Sequence, residues 1–262
     1  MLGTGNALVT RCFNTCFIIE SGGSKLLVDA GGGNGILRQM EDAHIDFADI
    51  HDLFLTHAHT DHVMGAVWVV RKITSLQSTG RYDGVLHVYG HERVLHILHL
   101  MCDLMLPNKF SKLIGESVLL HEVTDGQRFE AAGLRLVCFD IQSTKEKQFG
   151  FTATLPDGKR VACLGDEPFS EHCRQYVEGA DWLLSEAFCL HADAGRFRPY
   201  EKHHSTALDA GHLAQQLGAK HLLLYHTEDK TLSSRKQTYS AEAKKEFQGT
   251  VVVPDDLEVI EL

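Results

Sequence analysis

Residues Thr56 to His62 read Thr-His-Ala-His-Thr-Asp-His, directly after the apolar run Leu53-Phe54-Leu55. Three histidines and an aspartate therefore fall within six positions, at the point where a buried strand gives way to its next turn. Neutral imidazole nitrogens and a carboxylate suit zinc, and also manganese or iron. His57 and His59 lie two apart, so an extended loop can aim both at one ion, while Asp61 and His62 face a neighbouring position. A single ion cannot easily take all four side chains from so short a stretch. Two adjacent ions can, about 3.5–4 Å apart if they share a bridging ligand. The bridge must be anionic and must come from elsewhere in the chain, so the fold has to bring remote segments to this turn.

The best candidate bridge is Asp166, which follows an apolar strand pattern in Cys163-Leu164-Gly165-Asp166. Alone, a Gly-Asp pair reads as a turn. A further candidate ligand is His226, at the end of Leu222-Leu223-Leu224-Tyr225; alone it reads as a capped strand-end histidine. Short apolar runs alternate with helical patterns along the chain. Strands are expected at Phe17–Glu20, Lys25–Asp29, Asp52–Thr56, Val85–Val88, Ser117–Val123, Leu134–Ile141, Phe149–Leu155, Arg160–Leu164, Trp182–Ser185, His221–Tyr225 and Glu258–Leu262, with turns at Asp125-Gly126 and Pro156-Asp157-Gly158. Helices are expected at His62–Ser75, His91–Leu104, Glu171–Val177, Ala207–Leu217 and Ser240–Phe247, with Thr206 as a cap. This alternation implies a layered α/β protein.

The 262 residues, 44% of them apolar, fit one globular domain spanning 1–262, with no linker dividing it. No apolar run reaches membrane-spanning length and no secretion signal opens the chain. The 7 cysteines are odd in number, scattered, and mostly beside apolar residues. They read as buried reduced thiols of a cytoplasmic protein rather than a disulfide framework. Cys12 and Cys16 have no second pair to complete a four-thiolate site. The formal net charge of −10 argues against a large nucleic-acid footprint, which needs a basic face.

The order and spacing of these motifs resemble the metallo-β-lactamase superfamily, in particular its ribonuclease Z-like branch of phosphodiesterases. The resemblance runs through Leu2-Gly3-Thr4-Gly5, Val28-Asp29-Ala30-Gly31, the His57–His62 motif, Gly165-Asp166, Ser185-Glu186-Ala187, His204-Ser205-Thr206-Ala207 and Leu224-Tyr225-His226. It implies a four-layer αββα sandwich, with two mixed sheets face to face, helices outside and the metals at one edge. It also implies two divalent ions, zinc with manganese or iron as alternatives. His57, His59 and Asp166 would hold one, and Asp61, His62, Asp166 and His226 the other. Relatives in the family are often homodimers.

The sequence departs from the family in one place. A third histidine normally serves the first metal, after the strand corresponding to Leu134–Ile141. Here that stretch reads Asp140-Ile141-Gln142-Ser143-Thr144, and no histidine occurs between His121 and His172. Gln142 falls nearest the expected place, either as a weak amide ligand that leaves the first site weakened or as a residue lining the pocket.

Glu186 ends an apolar strand, an expensive place for a carboxylate without a partner. His204 opens the Ala207–Leu217 helix pattern. Alone they read as a salt-bridge member and a helix-start residue. With the resemblance they read as a hydrogen-bonded acid dyad near the leaving group, with Asp61 accepting or orienting the proton of a nucleophile made available as hydroxide by the paired metals. Arg198 and Lys202 belong to a basic stretch before His204 and read as a cationic rim or as a solvated loop.

The expected activity is hydrolysis of a phosphodiester. Acyl-bond hydrolysis (thioester, lactone or lactam) uses the same metal logic, but the Glu186–His204 pair favours phosphodiesters. A degenerate binding protein is the remaining alternative, and retention of the dyad speaks against it. Ribonuclease Z enzymes commonly carry a glycine- and proline-rich arm before the bridging aspartate, and Gln142 to Asp166 leaves no room for one. A small phosphodiester or short oligonucleotide is therefore the expected partner. Gly90–Gly115 reads as a helical insertion whose apolar residues form a lid, a dimer surface or core packing.

Overall fold

The computed structural model describes all 262 residues. Two β-sheets pack face to face. The first has the order β1-β2-β3-β4-β5, from β1 (Phe17–Ser21), β2 (Ser24–Val28), β3 (Ile50–Phe54), β4 (Leu86–Gly90) and β5 (Val118–Glu122). The second has the order β12-β11-β10-β9-β8-β7-β6, from β6 (Arg128–Ala131), β7 (Leu134–Asp140), β8 (Phe149–Thr154), β9 (Arg160–Cys163), β10 (Trp182–Glu186), β11 (His221–Tyr225) and β12 (Thr250–Val252). Both sheets are mixed: β1 runs antiparallel to β2 while β2 to β5 are parallel, and β9 to β12 are parallel while β6 to β9 form antiparallel hairpins.

The helices are α1 (Gly35–Asp42), α2 (Thr60–Gln77), α3 (Glu92–Met105), α4 (Asn108–Ser111), α5 (Arg174–Val177), α6 (Ala194–Phe197), α7 (Ala207–Gln216) and α8 (Leu232–Ala243). Three apolar clusters glue the layers together. One joins α1, α2 and α3 to the outer face of the first sheet through Ile36, Val69, Ile73 and Leu98. A second fills the space between the sheets, where Phe54 meets Phe151 edge-on at 5.1 Å between ring centres. The third seats α7 and α8 on the second sheet through Ala210, Ala214 and Tyr239. This is the expected αββα sandwich.

The alternation of side chains along each strand explains why the sandwich closes. In β2, Leu27 faces the helices while Leu26 and Val28 face the other sheet. The expected metal-ligand segments and Glu186 lie at the carboxyl ends of parallel strands, the usual place for a site in such sheets. Thr56–His62 follows β3, Asp166 follows β9, Glu186 ends β10 and His226 follows β11.

Expectation and structure differ at the margins. Glu258–Leu262 is not a strand; the short edge strand is β12 instead. The last helix is Leu232–Ala243, overlapping the expected Ser240–Phe247 only at its end. It is fixed there by Arg235, fully buried and donating to Thr4 and Thr227 hydroxyls and to the Pro254 carbonyl, an anchor that apolar periodicity does not reveal. The expected insertion crosses from β4 to the parallel strand β5. Its Leu95 and Leu98 are core, whereas Leu100, Leu104 and Met105 are exposed.

One close approach sets the site's position. Gly65 in α2 lies against the chain after β2: its N–H donates to Gly31 O at 2.8 Å. A Cβ at Gly65 would come within 1.8 Å of the Ala30 carbonyl oxygen. Because that contact is with backbone, Gly65→Ala must push α2 outward, carrying Asp61 and His62 with it. It should lower the unfolding free energy by about 1–3 kcal/mol and weaken divalent-metal binding. Urea denaturation beside metal titration checks this; wild-type behaviour in both would remove the claimed constraint.

Candidate metal centre

Asp61, His62, Asp166 and His226 are all buried and converge on one point. His62 Nε2 lies 3.5 Å from Asp61 Oδ2 and 3.5 Å from Asp166 Oδ2. His226 Nε2 lies 3.4 Å from Asp61 Oδ2 and 3.2 Å from Asp166 Oδ2. Four ligands about 2.1 Å from a tetrahedral ion stand about 3.4 Å apart. These edges lie close to that figure, and three of the four exceed the usual hydrogen-bond range. His62 Nε2 is buried and has no hydrogen-bond partner, an orphan that a cation satisfies. The donor set fits a divalent metal.

A second cluster joins His57, His59 and Asp166. His57 Nε2 is 3.6 Å from Asp166 Oδ1 and 2.9 Å from His59 Nδ1. Asp166 thus offers Oδ1 to one group and Oδ2 to the other, as a bridge should. His57, His59, Asp61, His62, Asp166 and His226, expected from the sequence as ligands, are brought together.

Partners behind the ligands orient them. Asp29, buried at the end of β2, accepts from Thr56 N at 2.9 Å, Thr56 Oγ1 at 2.7 Å and His62 Nδ1 at 2.7 Å. Since the Thr56 hydroxyl gives its one proton to Asp29, it accepts from His57 Nδ1 at 2.9 Å. Both histidines therefore carry their proton on Nδ1 and turn Nε2 toward the centre. Asp29 and His226 both have left-handed backbones, at φ 54° and 57°. Such conformations cost energy and collect at functional sites.

Glu186 links the centre to a second unit. Its Oε2 lies 2.7 Å from His204 Nδ1 and 3.7 Å from His226 Nδ1, and its Oε1 accepts from Ser205 N at 2.8 Å. His204 Nδ1 also lies 2.9 Å from the Asp166 carbonyl oxygen. Both contacts fall on Nδ1, so Nε2 is the ring nitrogen that neither Glu186 nor Asp166 engages. The ring stacks on Phe188, 4.6 Å between centres. Lys202 Nζ sits 5.0 Å from the Phe188 ring, while Arg198 is exposed and paired with Glu201 at 3.1 Å.

Gln142 is the expectation that gives way. Its side chain is exposed, and its amide oxygen accepts from Ser170 Oγ at 2.9 Å. The glutamine on the bridging carboxylate is Gln148, six residues on and wholly buried. Sequence reading also missed Asp29 and Thr56 as orienting groups. A carboxylate at the end of an apolar strand was the available signal for Asp29, the same one that marked Glu186.

Charge within the cluster is balanced. Burial opposes ionisation of Asp61 and Asp166, but the neighbouring histidines hold both well below the usual carboxylate range. Burial likewise opposes charge on His226, yet Asp166, Asp61 and Glu186 raise it to about 9. His62 is raised for the same reason, while burial pushes His57 down.

The fold and these paired clusters are those of the metallo-β-lactamase superfamily, in its ribonuclease Z-like branch. Within it, the family described as "Anti-Pycsar protein Apyc1" matches residues 1–248, and the chain belongs to that family. It is 28% identical to a ribonuclease Z of Myxococcus xanthus, over 100% of this chain and 96% of the relative. It is 25% identical to a ribonuclease Z of a Bradyrhizobium species, over 91% and 90%. The metallo-β-lactamase fold protein YhfI of Bacillus subtilis superposes with a TM-score of 0.77 at 20% identity, covering 97% of this chain and 95% of that one. The short form of human tRNase Z superposes at 0.75 and 20% identity, covering 99% and 97%. At those identities the structures establish the fold.

A histidine held protonated by carboxylates must lose that proton to bind a metal. Below about pH 9, the apparent metal affinity of the metal-free protein should therefore rise with pH, about tenfold per unit for each proton displaced. Calorimetry in buffers of different ionisation enthalpy should register proton release. Affinity that stays constant between neutral and alkaline pH contradicts the site.

Proposed function

We propose that the chain hydrolyses small phosphodiesters, a cyclic nucleotide or short oligonucleotide being the substrate class, with two divalent ions at the paired clusters. The carrying observation is the Glu186–His204 contact beside the ligand cluster, which supports a proton-donating role for His204. When bound, the ions would supply Lewis-acid polarisation of the phosphate and an activated water. The chain's own residues do the rest. Asp61, which its histidines hold as a carboxylate, would accept a hydrogen bond from the attacking water and so orient it. His204, charged and oriented by Glu186, would give the Nε2 proton to the departing oxygen. Glu186 would orient the ring and favour its charged form during that transfer. Lys202, beside Phe188, is the rim cation best placed for a phosphate oxygen. Arg198 is less suited, its charge being shared with Glu201.

What flanks the centre supports a small substrate. Between Gln142 and Asp166 the chain has only a loop, β8, a tight turn and β9. No arm projects there to grip a long RNA. The net charge of −10 supports the same reading. All seven thiols are free and six are buried, which supports a reducing, cytoplasmic setting. No helix is long and apolar enough to cross a membrane.

The test is leaving-group dependence. His204→Ala should slow hydrolysis of alkyl or nucleoside phosphodiesters by about 10²–10⁴-fold, and that of bis(p-nitrophenyl) phosphate far less, because nitrophenolate departs without protonation. Equal losses on both would remove the acid role. Thioester or lactone turnover with none on phosphodiesters would overturn the substrate class.

A further inference from the structure

We propose that Gln148 is a positioning residue that makes Asp166 an unequal bridge, so that one divalent ion is held tightly at Asp61–His62–Asp166–His226 and a second only weakly at His57–His59–Asp166. This rests on the metal-centre reading above and adds an order of filling to it.

Gln148 is fully buried, and a buried amide is costly unless its polar atoms are paired. Both are paired, to the same residue. Its Oε1 accepts from Asp166 N at 2.8 Å and its Nε2 donates to Asp166 Oδ1. The orientation is fixed by chemistry. A backbone N–H can only donate, so the amide oxygen must face it and the NH₂ must face Oδ1. The hairpin explains the placement: Phe151 pairs with Cys163 and Thr152 with Ala162, and the same register extended past the strand ends sets Gln148 opposite Asp166. Gly165 makes room, since a Cβ there would stand 2.0 Å from Gln148 Oε1.

The two oxygens of Asp166 are therefore unlike. Oδ2 faces His62 and His226 with no amide on it. Oδ1, the oxygen toward His57, already carries a donor. An NH₂ group offers hydrogens and no lone pair, so Gln148 cannot itself complete the first cluster, which keeps two imidazoles and a shared oxygen. What Gln148 does supply is a fixed carboxylate plane, which keeps Oδ2 on the second cluster.

Metal-free protein titrated with Mn²⁺ or Zn²⁺, followed by calorimetry and by metal content after desalting, tests this. The unsubstituted chain should take up one ion that survives desalting and a second that does not. Gln148→Ala, which frees the carboxylate, should weaken the tight ion by about 10–100-fold. Gln148→Glu keeps the acceptor for Asp166 N and sets a second carboxylate against Oδ1. It should tighten the weaker ion, because a cation then relieves the repulsion. A merely structural amide would alter thermal stability in both variants and leave both affinities unchanged, and that result overturns the proposal while the metal centre stands. Two equally tight ions in the unsubstituted chain would overturn it as well. No metal uptake by the unsubstituted chain would instead sink the metal-centre reading, and the proposal with it.

Discussion

The carboxylate of Asp166 is the point on which the molecule converges. One oxygen lies against His57 and the other against His62 and His226, while its main chain accepts from His204 and donates to Gln148. Residues from both sheets depend on it, so the two halves of the sandwich share one anion. That arrangement would be unstable by itself. A buried carboxylate needs compensating charge, and two carboxylates close together need it more. The histidines supply part of it as protons in the metal-free chain, and divalent cations are the natural replacement.

The fold serves this convergence. Parallel strands in each sheet point their carboxyl ends to one edge, so short loops deliver Asp29, His57, Asp61, Asp166, Glu186 and His226 without any long insertion. The strained backbones at Asp29 and His226 are local costs of that delivery. They are tolerable because burial and hydrogen bonding over-determine the conformation. Glu186 reaches both His204 and His226, so the proposed proton donor and the proposed metal ligands are joined through one buried carboxylate.

Much of this was legible in the sequence. The His57–His62 motif named its own chemistry, and Asp166 and His226 were marked by their place after apolar strands. Strand alternation gave the sandwich core because burial on two faces leaves a period that sequence displays. The helix Leu232–Ala243 was less visible: its anchor is a buried arginine, and hydrophobic periodicity does not register polar anchors. Gln142 stands at the expected distance along the chain from Leu134–Ile141, whereas position across the next hairpin decides which residue meets Asp166. The Pro156-Asp157-Gly158 turn between Phe149–Leu155 and Arg160–Leu164 contained that information, since folding the two strands about it pairs Gln148 with Asp166. Asp29 carries only the signal of a carboxylate at the end of an apolar strand, because its spacing to Thr56 and His62 is not distinctive.

The most direct test of the shared anion is anomalous diffraction, at the manganese or zinc edge, from crystals grown with the metal. Two peaks flanking Asp166 about 3.5–4 Å apart, the stronger one ligated by Asp61, His62 and His226, are the expected result. A well-occupied ion that does not touch Asp166, or Asp166 turned away from both histidine groups in the loaded protein, would contradict the account.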